Sequence, residues 1–215
     1  MRSLEEQLKQ SASLLEQSEL SFALAGGLAA GVYRNDDRVT KDVDFIVNGK
    51  GDLVKAGRML LVQLGLKPHI ARQADFDGGP LFAIKKGNSP EMAILGRDPE
   101  KKDPGVDLLL PNNKWVPRAL ERAQFNLLDF GFGTIPTMTV EDVVVAKLIA
   151  SHKSEREQDT LDLRSIFRAK HEFDLVYIIA RMKEFHVKLP KSLQNTAPAD
   201  LRRASKRIAR ERLKK

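Results

Sequence analysis

Hydrophobic and polar positions follow two different periods along the chain, and the change of period divides it. Residues 3–18 carry a sparse apolar stripe of Leu4, Leu8, Leu14 and Leu15 in a polar background, which predicts a helix. The apolar run at residues 22–25 ends in Gly26-Gly27, and small and apolar residues continue to Val32. That pattern predicts a strand, a tight turn and a buried helix. Residues 43–47 are β-branched and apolar and predict a buried strand. Leu53, Ala56, Leu60 and Leu64 have helical spacing that stops at Gly65. Strand-like runs follow at 80–85, 91–95 and 106–110, with a Gly-, Pro- and charge-rich stretch at 96–105 that predicts a mobile hairpin loop. Residues 114–123 predict a short helix, and residues 125–135 a strand interrupted by Gly131 and Gly133.

After Pro136 the period becomes helical. Thr139 and Asp142 form a loose capping box for a helix running to about Ser151, and further helices are predicted at 157–169 and 174–185. Residues 191–199 read as a polar linker, and the basic segment from Asp200 as helical. The predicted fold class is α+β: a mixed sheet with flanking helices, followed by a C-terminal helical lobe. The expected divisions are a core at 1–136, a lobe at 137–190 and a linker with a basic tail at 191–215.

Composition removes several chemistries. Hydrophobic residues make up 42% and charged residues 30%, enough to bury a core. The absence of cysteine excludes disulfide frameworks, cysteine nucleophiles and Cys-based metal sites. The four histidines lie 15 or more positions apart, so no local helical zinc pair exists. The N-terminus turns acidic at Glu5-Glu6 without an apolar region, and no apolar run approaches the roughly 18 residues of a membrane span. A cytoplasmic protein without membrane contact is expected. The net charge is +7, but residues 200–215 carry +6 of it through eight bases and two acids, leaving +1 for residues 1–199. A nearly neutral body therefore carries a basic tail, and the tail is the expected contact for RNA.

Three local features carry chemistry. Asp42 and Asp44 lie two apart at the start of an apolar strand, so their side chains share one face. Two neighbouring carboxylates repel and call for a cation between them, and Mg²⁺ suits oxygen ligands. Asp107 opens another apolar strand; paired beside the first, it would bring a third carboxylate, enough for two metals on the order of 4 Å apart. Gly26-Gly27, between a strand and a helix, lets backbone approach a ligand and offers helix N-terminal amides to phosphate.

Gly-Gly, then Thr40-Lys41-Asp42-Val43-Asp44, then a lone Asp107 on a later strand resembles the nucleotidyltransferase superfamily with its polymerase-β-like fold. Lys147-Leu148-Ile149-Ala150 resembles the K-x-x-A helix of the AbiEii-like nucleotidyltransferases, and residues 156–162 resemble their R-x-K-D-x-x-D segment. The resemblance spans about residues 22–168. It implies Mg²⁺, a nucleoside triphosphate, Asp42, Asp44 and Asp107 as metal ligands, and the same three with Lys147 as catalytic groups. It implies a nucleotide-binding set of Gly26, Gly27, Lys147, Asp159 and Asp162. Many relatives are toxins of toxin–antitoxin or abortive-infection systems, so a cognate antitoxin is an expected partner, and some modify the acceptor end of tRNA. Two departures stand out: Gly26-Gly27 replaces Gly-Ser and lacks the serine hydroxyl, and Gln158 replaces the charged Lys.

The residues also read on their own terms. Lys147 lies four residues after Val143 on an apolar face, where a lysine either snorkels outward or enters a site. Asp159 and Asp162 share a helical face with Leu163 and Ile166. They either orient Lys147, bind nucleotide, or form a structural pair with Arg156 or Lys147. Arg34, Arg38 and Lys41 flank the carboxylates in sequence, either as merely solvated charges or as further phosphate contacts. The resulting expectation is transfer of a nucleoside monophosphate to an acceptor hydroxyl, on RNA or a tRNA end. The alternatives are adenylylation of a small molecule or protein, a catalytically degenerate binding protein, and an RNA-binding module led by the tail.

Overall fold

The computed structural model describes residues 1–36, 39–72, 91–111, 115–153 and 157–212. The chain forms two compact units. Among the described residues, one comprises 1–29, 39–72, 91–111 and 115–139, and the other 30–36, 140–153 and 157–212.

The first unit is built on a five-stranded sheet. Its strands are β1 (Ser21–Leu24), β2 (Asp42–Asn48), β3 (Lys67–Arg72), β4 (Glu91–Arg97) and β5 (Gly105–Leu109), in the order β1-β2-β5-β4-β3. β2 and β5 are parallel, and every other neighbouring pair is antiparallel. Val43, Phe45 and Val47 of β2 and Val106 and Leu108 of β5 are buried, as expected for central strands covered by helices. The helices of this unit are α1 (Leu4–Glu16), α3 (Leu53–Gln63) and α4 (Trp115–Ala123). A capping box starts α1: Ser3 Oγ accepts the Glu6 N–H at 3.1 Å, and Glu6 Oε2 accepts the Ser3 N–H at 2.7 Å. α4 buries Trp115, Val116, Ala119, Leu120 and Ala123, a single face at helical spacing.

Several expectations change here. β3 has no counterpart in the sequence reading, because Pro68 and His69 obscure its alternation. It lies at the sheet edge, where a missing N–H is tolerated. The strand expected at 125–135 is a hairpin, β6 (Leu127–Asp129) with β7 (Thr134–Pro136), turning through Gly131 at φ 82°. The loop expected to be mobile after β4 is tied together by Asp98, whose carboxylate accepts N–H bonds from Glu100, Lys102 and Asp103 at 3.1, 2.7 and 2.9 Å. The strand expected at 80–85 lies outside the described residues.

The second unit is helical. α5 (Val140–Lys153), α6 (Glu157–Arg168), α7 (Leu175–Glu184) and α8 (Ala199–Arg212) are joined by short connections, including a 3₁₀ turn at Lys191–Leu193. α5 buries Val143, Val144, Val145, Leu148 and Ile149 on nearly every side, so it is the central helix. Asp142, expected as the capping partner of Thr139, is fully buried, and its Oδ1 accepts the Tyr177 hydroxyl at 2.5 Å.

Residues 191–212, expected as linker and tail, are packed. Leu193 and Ala197 are buried, and α8 inserts Leu201, Ala204 and Ile208 at helical spacing. Ser205 Oγ accepts the Leu189 N–H at 3.0 Å. Arg203, Lys206, Arg207 and Arg210 then fall on the exposed side of α8 at i, i+3, i+4 and i+7.

Candidate active site

α2 (Gly26–Tyr33) begins where β1 ends, and β1 pairs Leu24 with Phe45 of β2. The first residues of α2 are thereby laid against Asp44. Gly26 adopts φ +60°, and a Cβ there would lie 1.9 Å from Asp44 Oδ2. Only glycine fits both the dihedral and the space. The Gly27 N–H donates to Asp44 Oδ2 at 3.4 Å. That is a long bond, so this amide remains weakly committed.

Parallel register aligns the three carboxylates. Asp42 stands beside Gly105 and Asp44 beside Asp107. Partners in register on neighbouring strands project to the same face. Asp42, Asp44 and Asp107 therefore share one face at the start of β2 and β5. The Gly105 N–H donates to Asp42 Oδ1 at 3.2 Å.

Arg97, at the end of β4, completes this face. Leu95 stands opposite Asp107, and Arg97, two residues on, projects to the same side. Its guanidinium takes Asp107 with both nitrogens: Nη1 reaches Oδ1, and Nη2 donates to Oδ2 at 3.0 Å. Nη1 also donates to the Gly96 carbonyl at 3.0 Å. The absence of a side chain at Gly105 leaves room for it, because a Cβ there would lie 2.5 Å from Asp42 Oδ1 and 2.7 Å from Arg97 Nη1. The Asp107 hydrogen bond raises Arg97 above the ordinary arginine value, and the charges of Asp107, Asp42 and Asp44 add to it. Burial pushes the Asp107 carboxyl above the usual carboxylate range, against the downward pull of Arg97. Three carboxylates thus share a face with the Arg97 guanidinium.

The second unit contains a different charge cluster. Lys147 Nζ lies 3.0 Å from Asp159 Oδ1 and 2.5 Å from Asp162 Oδ2. Arg34 Nη1 donates to Asp162 Oδ1 at 2.8 Å. The Asp162 side chain is 1% exposed and that of Arg34 4%. The segment after α2 is laced to α6: the Asn35 N–H donates to Ser165 Oγ at 3.3 Å, and the Ser165 hydroxyl donates to Asn35 Oδ1 at 2.8 Å. The Tyr33 ring meets His171 edge-on at 5.8 Å. These contacts fix Arg34 against Asp162. Among the described residues, Arg34 and Lys147 meet Asp159 and Asp162 here, and Arg34 Nε also lies 3.7 Å from the exposed Asp36 Oδ1.

The family model described as the nucleotidyl transferase AbiEii toxin of type IV toxin–antitoxin systems matches residues 12–215. The chain belongs to the AbiEii nucleotidyltransferase toxin family. It is a nucleotidyltransferase; its fold, as expected, is a mixed sheet with flanking helices. Among solved structures, it is similar to JHP933 from Helicobacter pylori, with 17% identity, a TM-score of 0.47 and coverage of 98% of this chain and 92% of that one. It is also similar to an antigenic nucleotidyltransferase-like protein from Paracoccidioides brasiliensis, with 18% identity, a TM-score of 0.45 and coverage of 100% of this chain and 91% of that one. No curated protein matches the sequence.

Nucleotidyltransferases of this kind generally use a divalent metal, and the donor set in the sheet unit can be tested against one. Its groups are carboxylate oxygens, the chemistry a hard divalent cation takes. Three negative charges share a face with a guanidinium that is in contact with Asp107. Among the described residues no three His, Asp or Glu side chains close on a single point. Asp107 is turned to Arg97 instead. The residues fit a cation in charge and chemistry, with Asp42 and Asp44 as the pair outside Arg97's fork.

The structure therefore sorts the residues singled out in the sequence into two groups. Gly26, Gly27, Asp42, Asp44 and Asp107 come together in the sheet unit. Lys147, Asp159 and Asp162 come together in the helical unit, joined there by Arg34, which was expected as a phosphate contact. Lys41 is exposed. Arg38 and Arg156 lie outside the described residues. Arg97 was missed. Its signal was present, because a hairpin around residues 98–104 sets residue 97 across from residues 105–107. No helix among the described residues is long and apolar enough to cross a membrane.

Proposed function

We propose that this protein moves a nucleoside monophosphate from a nucleoside triphosphate to an acceptor hydroxyl, with Mg²⁺ held by Asp42 and Asp44 and completed by Asp107. The observation that carries this reading is the register of β2 and β5, which sets the three carboxylates on one face beside the first turn of α2. Bound there, the metal would neutralise triphosphate charge and ease attack at the α-phosphorus.

The protein's own groups do the rest. The first amides of α2, at Gly26-Gly27, hold phosphate oxygens through N–H donation and the helix dipole. Gly26 keeps Asp44 in place by having no side chain. Asp107, with its carboxyl raised by burial, is the group that takes the acceptor hydroxyl's proton. The acceptor oxygen forms a bond to the α-phosphorus, the α–β bridging P–O bond breaks, and pyrophosphate leaves with the electron pair. In the helical unit, Asp162 and Asp159 hold Lys147, for which we propose a nucleotide-contacting charge role. The exposed basic stripe of α8 supports an RNA acceptor, including a tRNA end, and the family assignment supports a cognate antitoxin and cytoplasmic action.

Purified protein is incubated with Mg²⁺, each labelled triphosphate and total RNA. Label should enter RNA with the wild type and not with Asp44→Ala. Equal labelling by the variant would refute the site.

A further inference from the structure

We propose that Arg97 and the catalytic metal compete for Asp107, so that Arg97 sets the threshold at which the carboxylate site accepts a divalent cation. The inference rests on the metal-site reading above and concerns how that site is regulated.

Both oxygens of Asp107 are taken by the Arg97 fork. A bidentate guanidinium–carboxylate pair leaves a carboxylate little room to reach a second cation. The fork is also held from behind, since Nη1 donates to the Gly96 carbonyl, and Gly105 opens the space in which Nη1 sits next to Asp42. Arg97 is therefore a placed group and more than a surface arginine that happens to find a carboxylate. Its side chain is nevertheless 45% exposed, while that of Asp107 is 14% exposed. It can reach solvent by giving up these bonds, whereas Asp107 stays in the site.

Two cations that use the same carboxylate exclude each other, and each weakens the other by the same factor. With Asp107 paired to Arg97, a metal at Asp42 and Asp44 lacks its third carboxylate. With Arg97 released, all three are available. Removing the guanidinium should therefore tighten metal binding, the reverse of what removal of a supporting residue would do.

The test measures Mn²⁺ binding by electron paramagnetic resonance of the free ion, with no nucleotide and no turnover. It uses the full chain as wild type, Arg97→Gln, Arg97→Lys and Asp44→Asn, each checked by thermal melting. Arg97→Gln should bind Mn²⁺ on the order of tenfold more tightly than wild type. Arg97→Lys, which keeps the charge but not the fork, should fall between them. Asp44→Asn should abolish binding. If Asp44→Asn abolishes binding while both Arg97 variants bind as wild type or more weakly, the competition is overturned and the metal site stands. If Asp44→Asn binds as wild type, the metal-site reading falls and the competition falls with it. Should Arg97→Gln melt far below wild type, the Arg97→Lys titration decides by the same criterion.

Discussion

The protein contains two clusters of charged side chains with different balances. In the sheet unit, Asp42, Asp44 and Asp107 share a face with the guanidinium of Arg97, which is half exposed. In the helical unit, Arg34 and Lys147 meet Asp159 and Asp162, with Asp36 at the exposed side of Arg34, and the four central side chains are mostly buried. The contrast separates two uses of charge. A buried, balanced set fixes conformation, and breaking it strands the remaining charges in a poor solvent. A set with excess negative charge is destabilising in itself and makes sense where a ligand brings the missing cation. Under the proposed function, the second kind serves the chemistry and the first positions Lys147.

Substitutions should drive the two clusters in opposite directions. Asp44→Asn should cost several kcal/mol of transition-state stabilisation, at least about a hundredfold in transfer rate. Its melting temperature should hold or rise because a repelling charge is gone. A fall of many degrees would erase the distinction. Asp162→Ala should do the reverse, leaving Arg34 and Lys147 without their shared carboxylate, at a cost of about 3–5 kcal/mol. That is a drop of roughly 10 °C for a chain of this size, read by calorimetry. An unchanged melting temperature would mean that this cluster is not structural.

The exposed stripe of α8 offers a smaller effect. Changing Arg203, Lys206, Arg207 and Arg210 to Gln should weaken RNA binding uniformly across sequences. It should also lower the slope of log affinity against log salt by about 0.7 for each phosphate that is no longer neutralised. An unchanged salt slope would remove α8 from the acceptor interface. Smallest is the pH response of the loop after β4. The N–H bonds of Asp103, Lys102 and Glu100 hold the Asp98 carboxyl below its ordinary value of 3.8. A group depressed on folding contributes stability above its unfolded value, and that contribution disappears as pH falls through the depressed one. Asp98→Asn should therefore lower stability slightly at neutral pH, where the wild type has the full contribution, and flatten the acid limb below about pH 4, where the wild type has lost it. A variant that unfolds along the wild-type acid limb would assign the loop's order to other contacts.

Much of the carboxylate site was legible because its signals are local. Two carboxylates two apart on an apolar strand must share a face, and paired glycines before a helix mark a close approach. The glycines were read as an approach to phosphate; the close approach at Gly26 is to Asp44. What the sequence hid is non-local. That Asp44 sits level with Asp107 depends on parallel register between strands more than fifty residues apart. Arg97 fell within the charge-rich stretch at 96–105 read as a loop, and only the β4–β5 pairing turns it toward Asp107. Arg34 lay near the carboxylates in sequence, but its partner Asp162 comes from α6. The amphipathic pattern of α8 was masked by its charge, because Leu201, Ala204 and Ile208 are few among many bases. β3 was masked by Pro68, which the sheet tolerates only because that strand is an edge.

The most direct measurement is an anomalous difference map from crystals grown with Mn²⁺ and a triphosphate analogue that cannot be cleaved at the α-phosphorus. The carboxylate reading expects a Mn²⁺ peak between Asp42 and Asp44, with the triphosphate against the first turn of α2. A peak coordinated elsewhere, or a bound nucleotide with Asp42 and Asp44 carrying no ion, would contradict it.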